Sequence, residues 1–139
     1  MPFLAVMKGE ENMDVLLFSR NHIWVMPQED QGTVCIGLTD YAQGKLGAIM
    51  FLNLPDTGTK LEREEVFGDV ESIKTVTDLF SPIAGEVLEI NESLLDAPEQ
   101  INSTPYESWL VRLKLTDEGG SLKDVLMDRE AYERYTGTL

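Results

Sequence analysis

Few residues in this chain could do covalent or acid–base chemistry. There is one histidine, His22, and one cysteine, Cys35. Ser-His-Asp and Cys-His arrangements therefore lack parts or context, and no glycine-rich loop leads into a helix to cradle a phosphate. A lone cysteine also rules out an intramolecular disulfide framework and a multi-cysteine metal site within this chain, so no metal is expected. The carboxylates are numerous but show no pattern that singles out an acid and base pair. A self-contained enzyme is not expected. One residue stands apart by its setting: Lys74 falls at the tight junction between two strand candidates, Val66 to Ile73 and Thr75 to Phe80.

The elements around that junction follow from period and punctuation. Ile23 to Met26 reads as a strand ending at Pro27. Gly32 to Leu38 reads as another, with Val34, Ile36 and Leu38 on one face and Thr33, Cys35 and Gly37 on the other, the period of two expected of a strand. Cys35 is then a small packing residue. Thr39 or Asp40 can cap a short helix through Leu46, which Gly47 would stop. Ala48 to Leu54 reads as a buried strand running into the Pro55–Gly58 turn. Beyond the lysine junction, Pro82 and Gly85 turn the chain into a strand from Glu86 to Ile90. Short helical pieces follow at Ser93 to Ala97 and Pro98 to Asn102, then a strand from Trp109 to Leu115. The C-terminal part reads as helical, with Leu122, Val125 and Leu126 as one apolar stripe and a last helix from about Asp128 carrying Tyr132 and Tyr135. Trp24 and Trp109 read as core anchors. The pattern is β-rich with peripheral helices, in one domain from 18 to 139 behind an N-terminal extension at 1–17.

Composition agrees with one compact unit. The 139 residues are 42% hydrophobic, enough for a core, and 25 Asp and Glu against 11 Lys and Arg give a formal net charge of −14. Such a surface repels phosphate backbones and acidic headgroups and is drawn to basic clefts on partner proteins, so no nucleic-acid or membrane partner is expected. The start, Met1 to Lys8, lacks the features of a secretory signal, and charges interrupt every apolar run. A cytoplasmic protein is expected.

The segment Val70-Glu71-Ser72-Ile73-Lys74-Thr75-Val76-Thr77-Asp78-Leu79-Phe80-Ser81-Pro82-Ile83-Ala84-Gly85-Glu86-Val87 resembles the glycine cleavage H-protein family, whose modified lysine follows Glu-Ser-Val and precedes a Ser-Pro-x-x-Gly-Glu-Val run. The resemblance continues through His22-x-Trp24, Gly37 to Gln43, Leu46-Gly47, Leu54-Pro55, Gly58, Phe67-Gly68, Glu89 to Asn91, Pro105-Tyr106 and Trp109-Leu110, over roughly residues 18 to 135. It implies a mainly β fold, a flattened barrel-sandwich hybrid of the lipoyl/biotinyl-domain type with short peripheral and C-terminal helices. It also implies lipoate held covalently on Lys74, on an arm reaching on the order of 14 Å. Glu71, Ser72 and Asp78 would flank the lysine as recognition residues for the modifying enzyme, and His22 and Ile23 could line a cleft for the arm. A biotin carrier would favour Met-Lys-Met, and an acyl carrier would be helical with its arm on a serine; neither fits Ile73-Lys74-Thr75.

The implied activity is shuttling. An H protein would take an aminomethyl group from glycine decarboxylase, present it to the aminomethyltransferase, and return electrons to dihydrolipoamide dehydrogenase, after loading by a lipoate ligase or octanoyltransferase. Departures from the family pattern keep a second pathway open. Ile23 stands where the family has a Glu beside the arm's cleft, Thr75-Val76-Thr77 replaces the usual Ala-rich run, and Tyr106 to Trp109 is one residue short. An H-like lipoate-binding protein serving a heterodisulfide-reductase-like complex in sulfur oxidation, or a lipoyl relay, would share the same lysine. On this reading Ile23→Glu would restore protection of the loaded arm.

Overall fold

The computed structural model describes residues 15–28, 32–116 and 122–139. Nine strands and five short helices appear among them: β1 Leu17–Phe18, β2 Ile23–Pro27, β3 Thr33–Leu38, α1 Asp40–Leu46, β4 Ile49–Asn53, β5 Lys60–Leu61, β6 Val66–Ser72, β7 Val76–Phe80, β8 Gly85–Ile90, α2 Glu92–Asp96, α3 Gln100–Ser103, β9 Val111–Leu115, α4 Leu122–Val125 and α5 Arg129–Gly137. They form two antiparallel sheets, one of six strands in the order β1-β2-β3-β9-β8-β5 and one of three in the order β4-β6-β7.

Alternation in β3 builds both sides of the large sheet. Val34, Ile36 and Leu38 enter the main core with Ile23, Val25, Leu52, Val70, Leu79, Val87 and Leu113. Cys35 turns the other way, into a second cluster with Leu16, Phe18, Trp24 and Tyr132. Burial pushes its thiol pKa upward, which fits the packing role. Gly37 is required opposite Trp24, because a Cβ there would stand 2.5 Å from the indole ring. Trp24 is fully buried, and its Nε1 donates to the Pro105 carbonyl at 3.1 Å, satisfying the polar end of an enclosed ring.

The helices begin where capping chemistry allows. The Thr39 side chain accepts from Ala42 N at the start of α1, and Asp128 accepts from Ala131 N at the start of α5. Gly47 ends α1 at φ +80 and ψ −157, a region essentially reserved for glycine. The Leu122, Val125, Leu126 stripe is broken: Leu126 is buried, but Val125 is 40% exposed, because α4 is a single turn and ends before the stripe can repeat.

The packing also reaches residues before 18. Leu17–Phe18 pairs with β2, and Leu16 and Leu17 are in the core, so the packing takes in residues placed within the N-terminal extension. Residues 1–14 of that extension lie outside the described residues. None of the described helices is long and apolar enough to cross a membrane.

Candidate functional site

The small sheet exists to carry one hairpin. β6 and β7 pair from Val66↔Phe80 to Glu71↔Val76, with a register shift between Val66 and Gly68, and β4 supports β6 from the other side. Both strands are shorter at the tip than their patterns suggest, ending at Ser72 and resuming at Val76, because Ile73, Lys74 and Thr75 are used by the turn. Ser72 N donates to the Thr75 carbonyl at 2.8 Å, which closes it. The Ser72 Oγ then accepts from both Lys74 N and Thr75 N at 3.2 Å. Two amides that strand pairing leaves without a partner are thereby satisfied.

This changes the reading of Ser72. It is only 6% exposed and offers almost nothing for a modifying enzyme to read; its work is to hold the turn. Glu71 and Asp78 are exposed, on the outer face of the small sheet, where Asp69 faces Asp78 and Asn53 Nδ2 donates to Asp69 Oδ1 at 2.8 Å.

Lys74 is exposed at the turn, and among the described residues its amine joins none of the ion pairs. Its stem lies along the backbone of Gly47: a Cβ placed there would be 3.4 Å from Lys74 Cε. The glycine that stops α1 therefore also leaves an open shelf under the lysine. Around it the surface is apolar, a feature not singled out in the sequence. Ile73 is 73% exposed, Val76 60% and Phe51 59%, and Phe51, Glu71 and Val76 form one cross-strand row. A register shift between Ile49 and Phe51 turns both Met50 and Phe51 outward, which alternation alone forbids. Exposed apolar residues grouped at a protruding tip mark a contact surface.

His22 and Ile23 are placed elsewhere. Ile23 has no exposed surface and belongs to the main core. It lines no cleft in this conformation, because its strand sends it inward between Leu17, Val25 and Leu38 within the same cluster. His22, at φ +69, packs on Tyr41, and its Nδ1 lies 2.8 Å from the Tyr132 hydroxyl. That hydroxyl is in turn 2.8 Å from the Thr39 Oγ1 that caps α1. This chain of contacts ties the α5 helix to the start of α1.

Burial lowers the His22 pKa from its ordinary 6.5, and a neutral imidazole can accept at Nδ1 from Tyr132, whose own pKa burial raises. The unfolded chain then binds more protons than the folded one as the pH falls below 6.5, so this contribution to stability is present above that value and lost as the pH drops through the lowered folded value. Urea midpoints should therefore fall more for wild type than for His22→Gln between about pH 7.5 and 5.5. Parallel falls would show that the imidazole is not a source of the acid sensitivity.

Two antiparallel sheets closed on one core, with a lysine at the hairpin tip of the smaller sheet, define the carrier-domain class of the lipoyl/biotinyl type. Residues 16–138 match the family model described as glycine cleavage H-protein. A glycine cleavage system H protein of Staphylococcus carnosus is 48% identical over 88% of this chain and 94% of its own length, and one from Chlorobium limicola is 46% identical over 89% and 96%. A crystal structure of a glycine cleavage system H protein from Mycobacterium marinum superposes with a TM-score of 0.79 at 30% identity, covering 89% of this chain and 98% of that one. The chain belongs to the glycine cleavage H-protein family.

Proposed function

We propose that this chain is the lipoyl-carrying shuttle of glycine cleavage, a carrier and not a catalyst, with lipoate amide-linked to Lys74. The observation that carries the reading is the placement of that lysine. Lys45 is in α1, Lys60 in β5, Lys114 in β9 and Lys123 in α4, so Lys74 alone stands at a hairpin tip among the described lysines. The surroundings fit the group: the amine is accessible and outside the ion pairs, the turn is fixed by Ser72, and the Gly47 shelf leaves room for a methylene chain.

When bound, the lipoyl group supplies a disulfide/dithiol couple and a sulfur on which a one-carbon fragment can travel. The protein's own residues supply placement. Ser72 and the β6–β7 ladder hold the lysine's backbone, so that the freedom of the arm begins at the side chain. Phe51, Ile73 and Val76 give an enzyme apolar area to dock on, and Glu71, Asp69 and Asp78 give it negative charge to align against. The partners on this reading are glycine decarboxylase, the aminomethyltransferase, dihydrolipoamide dehydrogenase and the lipoate ligase or octanoyltransferase that loads Lys74. The sulfur-oxidation alternative draws no support from these relatives, and its main sequence argument concerned a position, Ile23, that is enclosed in the core.

The test is reconstitution. The lipoylated chain, mixed with the three glycine cleavage enzymes, tetrahydrofolate and NAD, should support glycine-dependent NADH formation, and the unlipoylated chain should support none. Failure of the fully lipoylated chain to do so, with an H protein of known activity working in parallel, would reject the pathway.

A further inference from the structure

Asn102 lies on α3, far along the chain from the carrier hairpin, yet its side chain touches the segment that holds it. The Oδ1 accepts from Ile49 N at 2.9 Å. The Nδ2 donates to the Gly47 carbonyl at 2.9 Å and to Gln43 Oε1 at 2.9 Å. Gln43 is anchored in turn, its Nε2 donating to Asp40 Oδ1 at 2.8 Å. The amide fits in only one orientation: exchanging its oxygen and nitrogen would set a donor against Ile49 N–H and an acceptor against the Gly47 carbonyl.

These three bonds bracket Gly47 and Ala48, the two residues between α1 and β4 that meet the hairpin. The Ala48 carbonyl accepts from Ile73 N at 3.0 Å, one residue before the lysine. Gly47 forms the shelf beside Lys74 Cε. Apart from Asn102 and the bond from Gly47 N to the Gln43 carbonyl at 3.0 Å, this link is an exposed Ala and a Gly, and glycine is the residue least restricted to a single backbone geometry.

We infer that Asn102 is a positioning residue for the carrier lysine, acting through Gly47 and Ala48 to fix the hairpin tip. Its bearing on modification rests on Lys74 being the attachment site; its effect on the hairpin does not. Without the Asn102 amide, the α1–β4 link loses its clamp, the Ala48–Ile73 bond opens more often, and the lysine is offered to a modifying enzyme over a wider range of positions.

The experiment compares wild type, Asn102→Ala and the milder Gln43→Ala, which removes one of the three contacts from a partly exposed side chain and keeps the protein folded if the first variant does not. Amide exchange in the unmodified chain is read at Ile73 N–H, with Leu110 N–H, bonded to Ile36 O in the large sheet, as the remote control. Ile73 exchange should rise about tenfold in Asn102→Ala and about threefold in Gln43→Ala, with Leu110 little changed. In lipoylation by a lipoate ligase with lipoate and ATP, KM for the protein should rise severalfold while kcat stays within about twofold. Unchanged Ile73 exchange in the folded variants, an equal rise at Leu110, or an unchanged KM despite a loosened Ile73 would each overturn the inference. If wild type accepts no lipoyl group at Lys74, the proposed function has failed, and the exchange measurement alone decides whether Asn102 positions the hairpin.

Discussion

Lys74→Arg is expected to abolish lipoylation and glycine-dependent turnover while leaving the protein folded. Arginine keeps the positive charge and nearly the length, but its guanidinium stays protonated and does not form the amide that a lysine amine forms. The exposed side chain contributes little to packing, so the stability change should stay within about 0.5 kcal/mol. After co-expression with a lipoate ligase, intact-mass spectra should show one lipoyl group on wild type and none on the variant, and peptide spectra should place it on Lys74. A lipoyl group on the variant, or on another lysine of wild type, would remove the basis for reading the β6–β7 tip as the carrier site.

The second large effect lies in the core. On sequence grounds Ile23→Glu should restore a carboxylate beside the arm, but Ile23 is 0% exposed among Val25, Ile36 and Leu38. A carboxylate there has no cation to meet within the main apolar cluster. An uncompensated buried charge costs on the order of 3 to 5 kcal/mol, a large share of a small domain's total stability. Burial would also raise the new glutamate's folded pKa above its unfolded value. The variant's stability is then best below the unfolded value and is lost as pH rises through the folded one, so its deficit against wild type should be larger at pH 8 than at pH 5. Denaturant midpoints at the two pH values check this. A variant within about 1 kcal/mol of wild type at pH 8 would mean that the strand can turn position 23 toward solvent, and the arm-cleft reading would return.

Position 23 also shows how sequence and structure divide. The strand β2 is legible from its apolar run and from Pro27, but Ile23, Trp24 and Val25 are all buried, so alternation cannot say which side is enclosed by what. Trp24 faces the aromatic cluster under α5, while Ile23 faces the main core. Both sides of this strand are covered by elements distant in sequence. The outward pair Met50 and Phe51 was hidden for a related reason: in a run of apolar residues, a bulge depends on the register with β6 and leaves no mark in the residue types. The two-residue strands β1 and β5 are too short to show any period at all.

The sequence by itself determined the local features: the alternating faces of β3, a cap at Thr39 or Asp40, a last helix from about Asp128, the Gly47 stop, and a lysine at the junction of two strands within a family motif. These depend on residue types a few positions apart, and the chemistry of a cap, a turn or a pleat acts over that range. Tertiary structure alone decided what surrounds the lysine. Ser72 passed from a recognition residue to the brace of the turn, Ile23 from a cleft wall to a core residue, and Asn102 from an unremarked helix residue to the clamp on the segment beneath the hairpin. A hydrogen bond from Asn102 to Gly47 spans 55 positions along the chain. No periodicity encodes such a pairing, because it exists only once the two sheets have closed and brought α3 against the end of α1.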